Sequence, residues 1–195
     1  MSIDQNCDEL LNQVHAPDGI LRLTLNDPKR LNALSEVMLM SLGSAIDQAI
    51  NNPSVRVIVL AAVGKVFCAG HDLKEMTAAR QEKDRGRAYF KKILSKCSSV
   101  MKKIVESPKP VIAEIDGVAT AAGCQLVASC DLAIASERAQ FCTPGVHIGL
   151  FCSTPMVAVS RSLGRKKTME MLLTGESLNA EEAVQYGLIN RCVSL

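Results

Sequence analysis

Between Lys109 and Asp131 the chain reads Lys-Pro-Val-Ile-Ala-Glu-Ile-Asp-Gly-Val-Ala-Thr-Ala-Ala-Gly-Cys-Gln-Leu-Val-Ala-Ser-Cys-Asp. This stretch limits the possible folds more than any other. Val111 to Ile115 is apolar and β-branched, which predicts a buried strand. Asp116-Gly117 turns the chain, Ala119 to Gly123 are very small, and Cys124 to Ser129 starts an apolar helix. Small side chains at such a junction admit close approach, and the first N–H groups of a helix have no internal partner. Two readings stay open: tight packing of a helix on a sheet, or a main-chain donor aimed at an oxygen that gains negative charge.

Taken in order, residues up to Asp18 are polar and are expected to be a loose lead-in (1–19). Ile20 to Leu25 alternates as a strand, and Asn26-Asp27-Pro28 turns it. Ser35 caps a helix that Asn51-Asn52-Pro53 ends. Val55 to Ala62 is almost wholly apolar, as in a strand buried on both faces. A second strand end with small residues lies at Val66 to Lys74. A charged segment leads into an amphipathic helix from about Arg85 to Glu106. Short strands follow at Leu132 to Ala135 and Ala139 to Cys142. Helices are expected at Thr154 to Leu163, Lys166 to Thr174 and Asn179 to Tyr186, with Asn179 and Glu182 as a capping pair. Ile189 to Val193 closes the pattern. Alternating strands and helices define an α/β architecture. The stop directly after a strand suggests that C-terminal elements are missing.

A formal net charge of +2 and only short basic clusters argue against a nucleic-acid binder. No apolar run reaches the ~18 residues of a membrane span. Neither a signal peptide nor an Arg-rich presequence is visible at the start. The eight cysteines contain no Cys-x-x-Cys pair and the three histidines are scattered, so no metal-ligand spacing is present. Reduced core thiols are the simplest reading of the cysteines.

The two small-residue junctions, Ala69-Gly70-His71 and Ala121-Ala122-Gly123, share one property: each is delivered by a buried strand. On neighbouring strands, the N–H groups of His71 and of Ala122 or Gly123 would converge on one oxygen, each worth ~3 kcal/mol to a developing charge.

These blocks, with Asn32-Ala33-Leu34, Phe67-Cys68-Ala69-Gly70-His71-Asp72-Leu73-Lys74-Glu75-Met76, Lys109-Pro110-Val111, Cys130-Asp131-Leu132, Leu173-Thr174-Gly175-Glu176 and Gly187-Leu188-Ile189-Asn190-Arg191, closely resemble the enoyl-CoA hydratase/isomerase (crotonase) superfamily. The likeness runs from about Ile20 to Val193. It implies a crotonase-like α/β spiral of ββα units over residues 20–195, trimeric assembly, a mitochondrial setting in fatty-acid metabolism, and an acyl-CoA thioester as ligand with no separate cofactor and no metal. By motif, the oxyanion donors are the N–H groups of His71 and Ala122. Ala69, His71, Asp72, Leu73, Lys74, Ala122 and Gly123 would line the thioester and pantetheine path. Lys29, Leu31 and Ala33 would lie near the adenine end.

The resemblance also shows two departures. Active hydratases of this family carry one Glu where this chain has Gln125, and a second where it has Gly145. Adding water across a double bond needs one group to take a proton and another to give one, and each lost group costs ~100- to 10,000-fold in rate. Three functions are compatible with this: acyl-CoA binding without ordinary hydratase activity, altered chemistry such as thioester hydrolysis or decarboxylation, and a non-catalytic scaffold. Asp72, Glu75, Glu114, Asp116 and Asp131 are the carboxylates near enough to substitute; Asp72 and Glu75 read as cap or surface groups and Asp131 as a strand-entry pin. Cys68/His71 and Cys124/His147 are possible nucleophile pairs that lack an orienting partner.

Overall fold

The structure, a computed structural model, describes residues 10–194. Two sheets organise it. The larger contains β1 (Leu11–His15), β2 (Ile20–Leu25), β3 (Val57–Ala62), β5 (Val111–Ile115), β7 (Leu132–Ser136) and β10 (Arg191–Val193), in the order β1-β2-β3-β5-β7-β10. Every neighbouring pair is parallel except β1 with β2. The smaller runs β4 (Val66–Cys68), β6 (Val118–Thr120), β8 (Gln140–Cys142) and β9 (Leu178–Asn179), with only β9 antiparallel.

The seven helices are α1 (Glu36–Asn51), α2 (Leu73–Ala79), α3 (Arg87–Val105), α4 (Ala122–Ser129), α5 (Ser153–Ser162), α6 (Arg165–Thr174) and α7 (Ala180–Tyr186) among the described residues. Each of β3, β5 and β7 is followed at once by a strand of the smaller sheet and then by helix. That is the ββα spiral the sequence pointed to. Successive units stack closely. A Cβ on Gly117, in the turn between β5 and β6, would fall 2.0 Å from the Lys65 carbonyl in the turn before β4, and its φ of +92° already favours glycine.

Local chemistry accounts for the helices. Ser35 Oγ accepts from Met38 N at 3.1 Å and opens α1. Asn179 and Glu182 close a reciprocal capping box on α7, and Gly187 ends it in the left-handed region. On α3 the buried residues Ile93, Cys97, Val100, Met101 and Ile104 recur at helical spacing. Asp131 pins the entry to β5 by accepting from Val111 N at 2.8 Å.

Three expectations need correction. The lead-in over 1–19 is not loose where it is described: Leu11–His15 is an edge strand paired with β2, while residues 1–9 lie outside the described residues. Only Leu11 of that strand is buried, which is why its polar pattern concealed it. The charged segment after Lys74 contains α2, a short helix with one buried residue, Ala79. Finally, β3 is not buried on both faces along its length: Ile58 and Leu60 are buried, whereas Val57 and Val59 on the opposite face are half-buried. The outer face of the sheet instead carries the Arg22–Glu114 ion pair between β2 and β5.

Candidate functional site

The smaller sheet brings the two junctions together. β4 and β6 are parallel neighbours, with Cys68 opposite Ala119. Each strand ends in one of the small-residue turns. An added Cβ on Gly70 would lie 3.0 Å from Ala121 Cβ, 3.1 Å from Ala122 N and 3.1 Å from Thr120 O. A Cβ on Gly123 would fall 2.1 Å from the Cys68 carbonyl. Gly123 is thus where α4 packs directly on β4, and at this position tight packing is the correct reading.

The backbone is bent sharply at both turns. Gly70 has φ +85°, and Ala121, at the N-cap of α4, has φ 53° and ψ −119°, a conformation costly for a residue with a Cβ. It is held there by Ala121 N donating to Cys142 O at 2.9 Å. The consequence concerns the next residue. Ala122 begins the helix, and no acceptor for its N–H is present among the described residues; the same is true of the His71 N–H. Main-chain donors without a protein acceptor are available to an acceptor from outside the chain, and here two belong to adjoining turns.

The His71 side chain offers little chemistry. Neither ring nitrogen has a hydrogen-bond partner, and both are buried. Burial holds its pKa below the ordinary histidine value; the Leu34 carbonyl, outside hydrogen-bonding geometry, offsets this only in part.

A second segment, residues 27–35, clamps the His71 turn. Ala69 N donates to Leu31 O at 3.1 Å, Leu34 N donates to Gly70 O at 2.7 Å, and Leu34 bridges His71. Leu31 and Asn32 both adopt positive φ. The buried Asn32 amide secures this shape by donating to Val63 O and Val66 O at 2.9 and 2.7 Å and accepting from Asp27 N at 2.8 Å.

Of the residues proposed to line the ligand path, Ala69, His71, Ala122 and Gly123 meet at this junction. Leu73 and Lys74 lie exposed on α2, along an open groove with Thr77, Ala78 and Gln81. Lys29 and Leu31 are exposed, whereas Ala33 is buried, leaving its main chain as its only polar contribution. Asp72 is buried as well: its Oδ1 caps α2 through Lys74 N (2.8 Å) and Glu75 N (3.1 Å), and its Oδ2 meets Arg30 at 2.5 Å.

Gln125 and Gly145 part company. The Gln125 side chain, 7% exposed with an unpartnered Oε1, lines a cavity of ≈ 430 Å³ among α3, α4 and α5, with Cys97, Met101, Ser129 and Val157. Gly145 is not among its lining residues. It sits in the 3-10 turn Pro144–Ile148, where a Cβ would come 2.8 Å from Cys152 Sγ and 3.0 Å from Leu150 O. The space that a side chain at 145 would enter is filled by Cys152.

The nearby carboxylates are all engaged. Glu75 accepts from Glu36 N (3.0 Å) and the Tyr89 hydroxyl (2.8 Å), Glu114 pairs with Arg22, Asp116 with Arg138 and Ser136, and Asp131 with Val111 N. The nucleophile pairs fail. Burial pushes the Cys68 thiol up to about 12 and raises that of Cys124 further, and His147 instead contacts Thr174 O at 2.8 Å. No group of three metal-ligating side chains occurs among the described residues. Arg30 and Tyr89 escaped sequence reasoning as parts of this region, because their partners Asp72 and Glu75 are met only through space.

Two stacked sheets wound from ββα units, with small-residue turns delivered side by side, define a crotonase-type α/β domain. The family model for enoyl-CoA hydratase/isomerase matches residues 15–195, and the chain belongs to that family. It is similar to the rat protein named mitochondrial enoyl-CoA hydratase domain-containing protein 3, at 49% identity over 183 residues, covering 94% of this chain and 59% of the relative. The human protein of that name is 49% identical over 90% of this chain and 56% of the relative. Among solved structures, an enoyl-CoA hydratase from Mycobacterium smegmatis superposes with a TM-score of 0.90 at 53% identity, covering 95% of this chain and 70% of that one. The crystal structure of human enoyl-CoA hydratase domain-containing protein 3 gives 0.88 at 46% identity, covering 95% and 71%. The chain therefore spans less than two thirds of the length of these curated relatives.

Proposed function

We propose that this chain is the acyl-CoA-binding core of a crotonase-family protein that is not an ordinary enoyl-CoA hydratase. The thioester oxygen accepts from the N–H groups of His71 and Ala122. What carries this reading is the pair of acceptor-free main-chain donors on two turns that touch through Gly70 and Ala121. Donors fixed in place by the fold cost nothing to orient when charge develops on an oxygen. Gln125 and Gly145 stand where the resemblance expects acids, and neither can exchange a proton near neutral pH.

The test is calorimetric titration with crotonyl-CoA, acetyl-CoA and free CoA. Tighter binding of the thioesters than of free CoA supports the reading. No heat with any of them leaves the non-catalytic scaffold as the function.

A second reading follows from the engaged carboxylates: an enolate formed here would have to arise without a protein base. Decarboxylation of a malonyl-type thioester meets that condition. The carbon–carbon bond breaks, its electron pair passes onto the thioester oxygen, CO₂ leaves, and water protonates the α-carbon. Release of acetyl-CoA from malonyl-CoA is the assay, and free CoA appearing instead would mean thioester hydrolysis.

The named relatives carry "mitochondrial" in their names, which supports a mitochondrial setting for this protein too, while a role in fatty-acid metabolism rests on the resemblance. Homotrimeric assembly rests on the resemblance, and sedimentation of the complete protein tests it. No described helix is long and apolar enough to cross a membrane.

A further inference from the structure

One ion pair near the proposed site has no role in the reading above. Arg30 ends the 3-10 turn Pro28–Arg30, in the segment whose neighbours Lys29, Leu31 and Ala33 were expected to face the nucleotide end of CoA. Its guanidinium meets Asp72 Oδ2 at 2.5 Å and lies 3.8 Å from Glu75 Oε1. The two sides of the pair differ sharply: the Arg30 side chain is 40% exposed, the Asp72 side chain 5%. Asp72 directly follows His71 and spends its other oxygen on the first two N–H groups available in α2. Glu75, one turn on, reaches back to cap α1 through Glu36 N and takes the Tyr89 hydroxyl from α3.

The covalent neighbours of the His71 N–H are thus held from both directions. Before it, Gly70 O is bound to Leu34 N; after it, the Asp72 carboxylate is fixed between its own helix and Arg30. A buried carboxylate deprived of its cation turns toward water or draws water in, because an unpaired charge is costly to keep there. Either response moves the peptide that carries the His71 N–H.

We propose that Arg30 is a positioning residue that sets the direction of the His71 N–H through Asp72, so that the segment facing the nucleotide end and the donor facing the thioester move as one piece. The proposal rests on the acyl-CoA reading above. It assigns Arg30 to the thioester through Asp72, the ion-pair partner of its guanidinium along with Glu75.

The experiment compares Arg30→Ala, Arg30→Lys and Asp72→Asn in two measurements, after thermal melting has shown that each is folded. The first is calorimetry with crotonyl-CoA and with free CoA. Arg30→Ala is expected to weaken crotonyl-CoA about tenfold, as for a typical coupling between sites, and free CoA less than about twofold. Arg30→Lys recovers part of the loss, since a point charge replaces a fork. Asp72→Asn repeats the Arg30→Ala pattern. Equal loss for both ligands would make Arg30 a direct contact to CoA phosphates, and no loss for either would make the pair idle; both results overturn the proposal.

The second measurement needs no ligand. Amide exchange at Lys74 and Glu75, the donors to Asp72, is expected to quicken about tenfold in Arg30→Ala, with the capping box of α7 unchanged. Unchanged exchange at Lys74 and Glu75 overturns the proposal. If the unaltered protein binds no CoA compound, the acyl-CoA reading fails by itself, and exchange alone decides whether Arg30 positions this turn.

Discussion

Replacing Gly70 with alanine puts the proposed donor pair to its sharpest test. At φ +85° an L-residue pays for its Cβ, about 1–2 kcal/mol. The new methyl also meets Ala121 Cβ, Thr120 O and Ala122 N at 3.0–3.1 Å, closer than ordinary van der Waals contact, and such overpacking costs about 1–3 kcal/mol. Together these give about 2–5 kcal/mol, a fall in Tm of roughly 10 °C for a chain of this size. Relief requires the two turns to separate, and separation withdraws both N–H groups from a shared oxygen. Two ground-state hydrogen bonds at about 1 kcal/mol each make a loss of roughly 30-fold in thioester affinity. Gly187→Ala is the matched control. Its φ is +87°, its nearest contact, Ser162 O at 3.3 Å, is looser, and it ends α7 away from both turns. That variant is expected to lose roughly 4 °C in Tm and no affinity, since only the backbone cost applies. Denaturation and calorimetry on both proteins provide the comparison. Wild-type thioester affinity in a folded Gly70→Ala protein would refute the assignment of the donors, and an equal affinity loss in Gly187→Ala would show that strain alone governs binding.

Two further outcomes are expected. Restoring carboxyls by Gln125→Glu with Gly145→Glu should not by itself yield a hydratase, because Cys152 Sγ blocks the path from position 145; adding Cys152→Ala should bring measurable crotonyl-CoA hydration, and substantial turnover by the unaltered chain would contradict this account. Stability should fall below pH 5: Lys92 and Lys96 hold the Glu36 carboxyl, and Arg138 with Ser136 the Asp116 carboxyl, below their ordinary values. The unfolded chain therefore takes up protons first, so their contribution is present above about pH 5 and is lost as the pH drops through the folded values. Because both are surface pairs, the loss should be small and salt-sensitive, and Glu36→Gln should flatten the acid limb of a urea-denaturation series.

The parts of the fold readable in the sequence were those whose causes are local. Ser35, the Asn179–Glu182 box and Gly187 mark helix ends with groups a few residues apart, and the spacing of Ile93, Cys97, Val100 and Met101 declares a buried face. The edge strand Leu11–His15 was hidden because four of its five residues face water, and an edge strand needs only one partner. The three-residue strand β6 looked like part of a turn, since Val118-Ala119-Thr120 is too short to show a period. At the site, the small residues of both junctions were visible, while their meeting on adjacent strands was only a condition, which the pairing of β4 with β6 meets. The Arg30–Asp72 pair, 42 positions apart, and the blocking of position 145 by Cys152 were not, because each depends on a through-space approach to which no sequence period corresponds.

That division has a consequence for function. The carboxyls expected from the resemblance are side chains, each removable by one substitution without disturbing the strand or turn beneath. The donors proposed here are main-chain groups. Their placement depends on Gly70 at positive φ, on Ala121 held by Cys142 O, on Gly123 pressed against Cys68, and on the Asn32 bracket. Altering any of these reaches the packing of α4 on β4 or the shape of the loop before α1, so a change in donor geometry also costs stability. A chain of this family can therefore lack the two carboxyls and still keep the turns that carry the proposed donors, because those turns also carry packing. Strained backbone retained at Ala121 beside an amide such as Gln125, which cannot transfer a proton usefully, is what that history would leave behind.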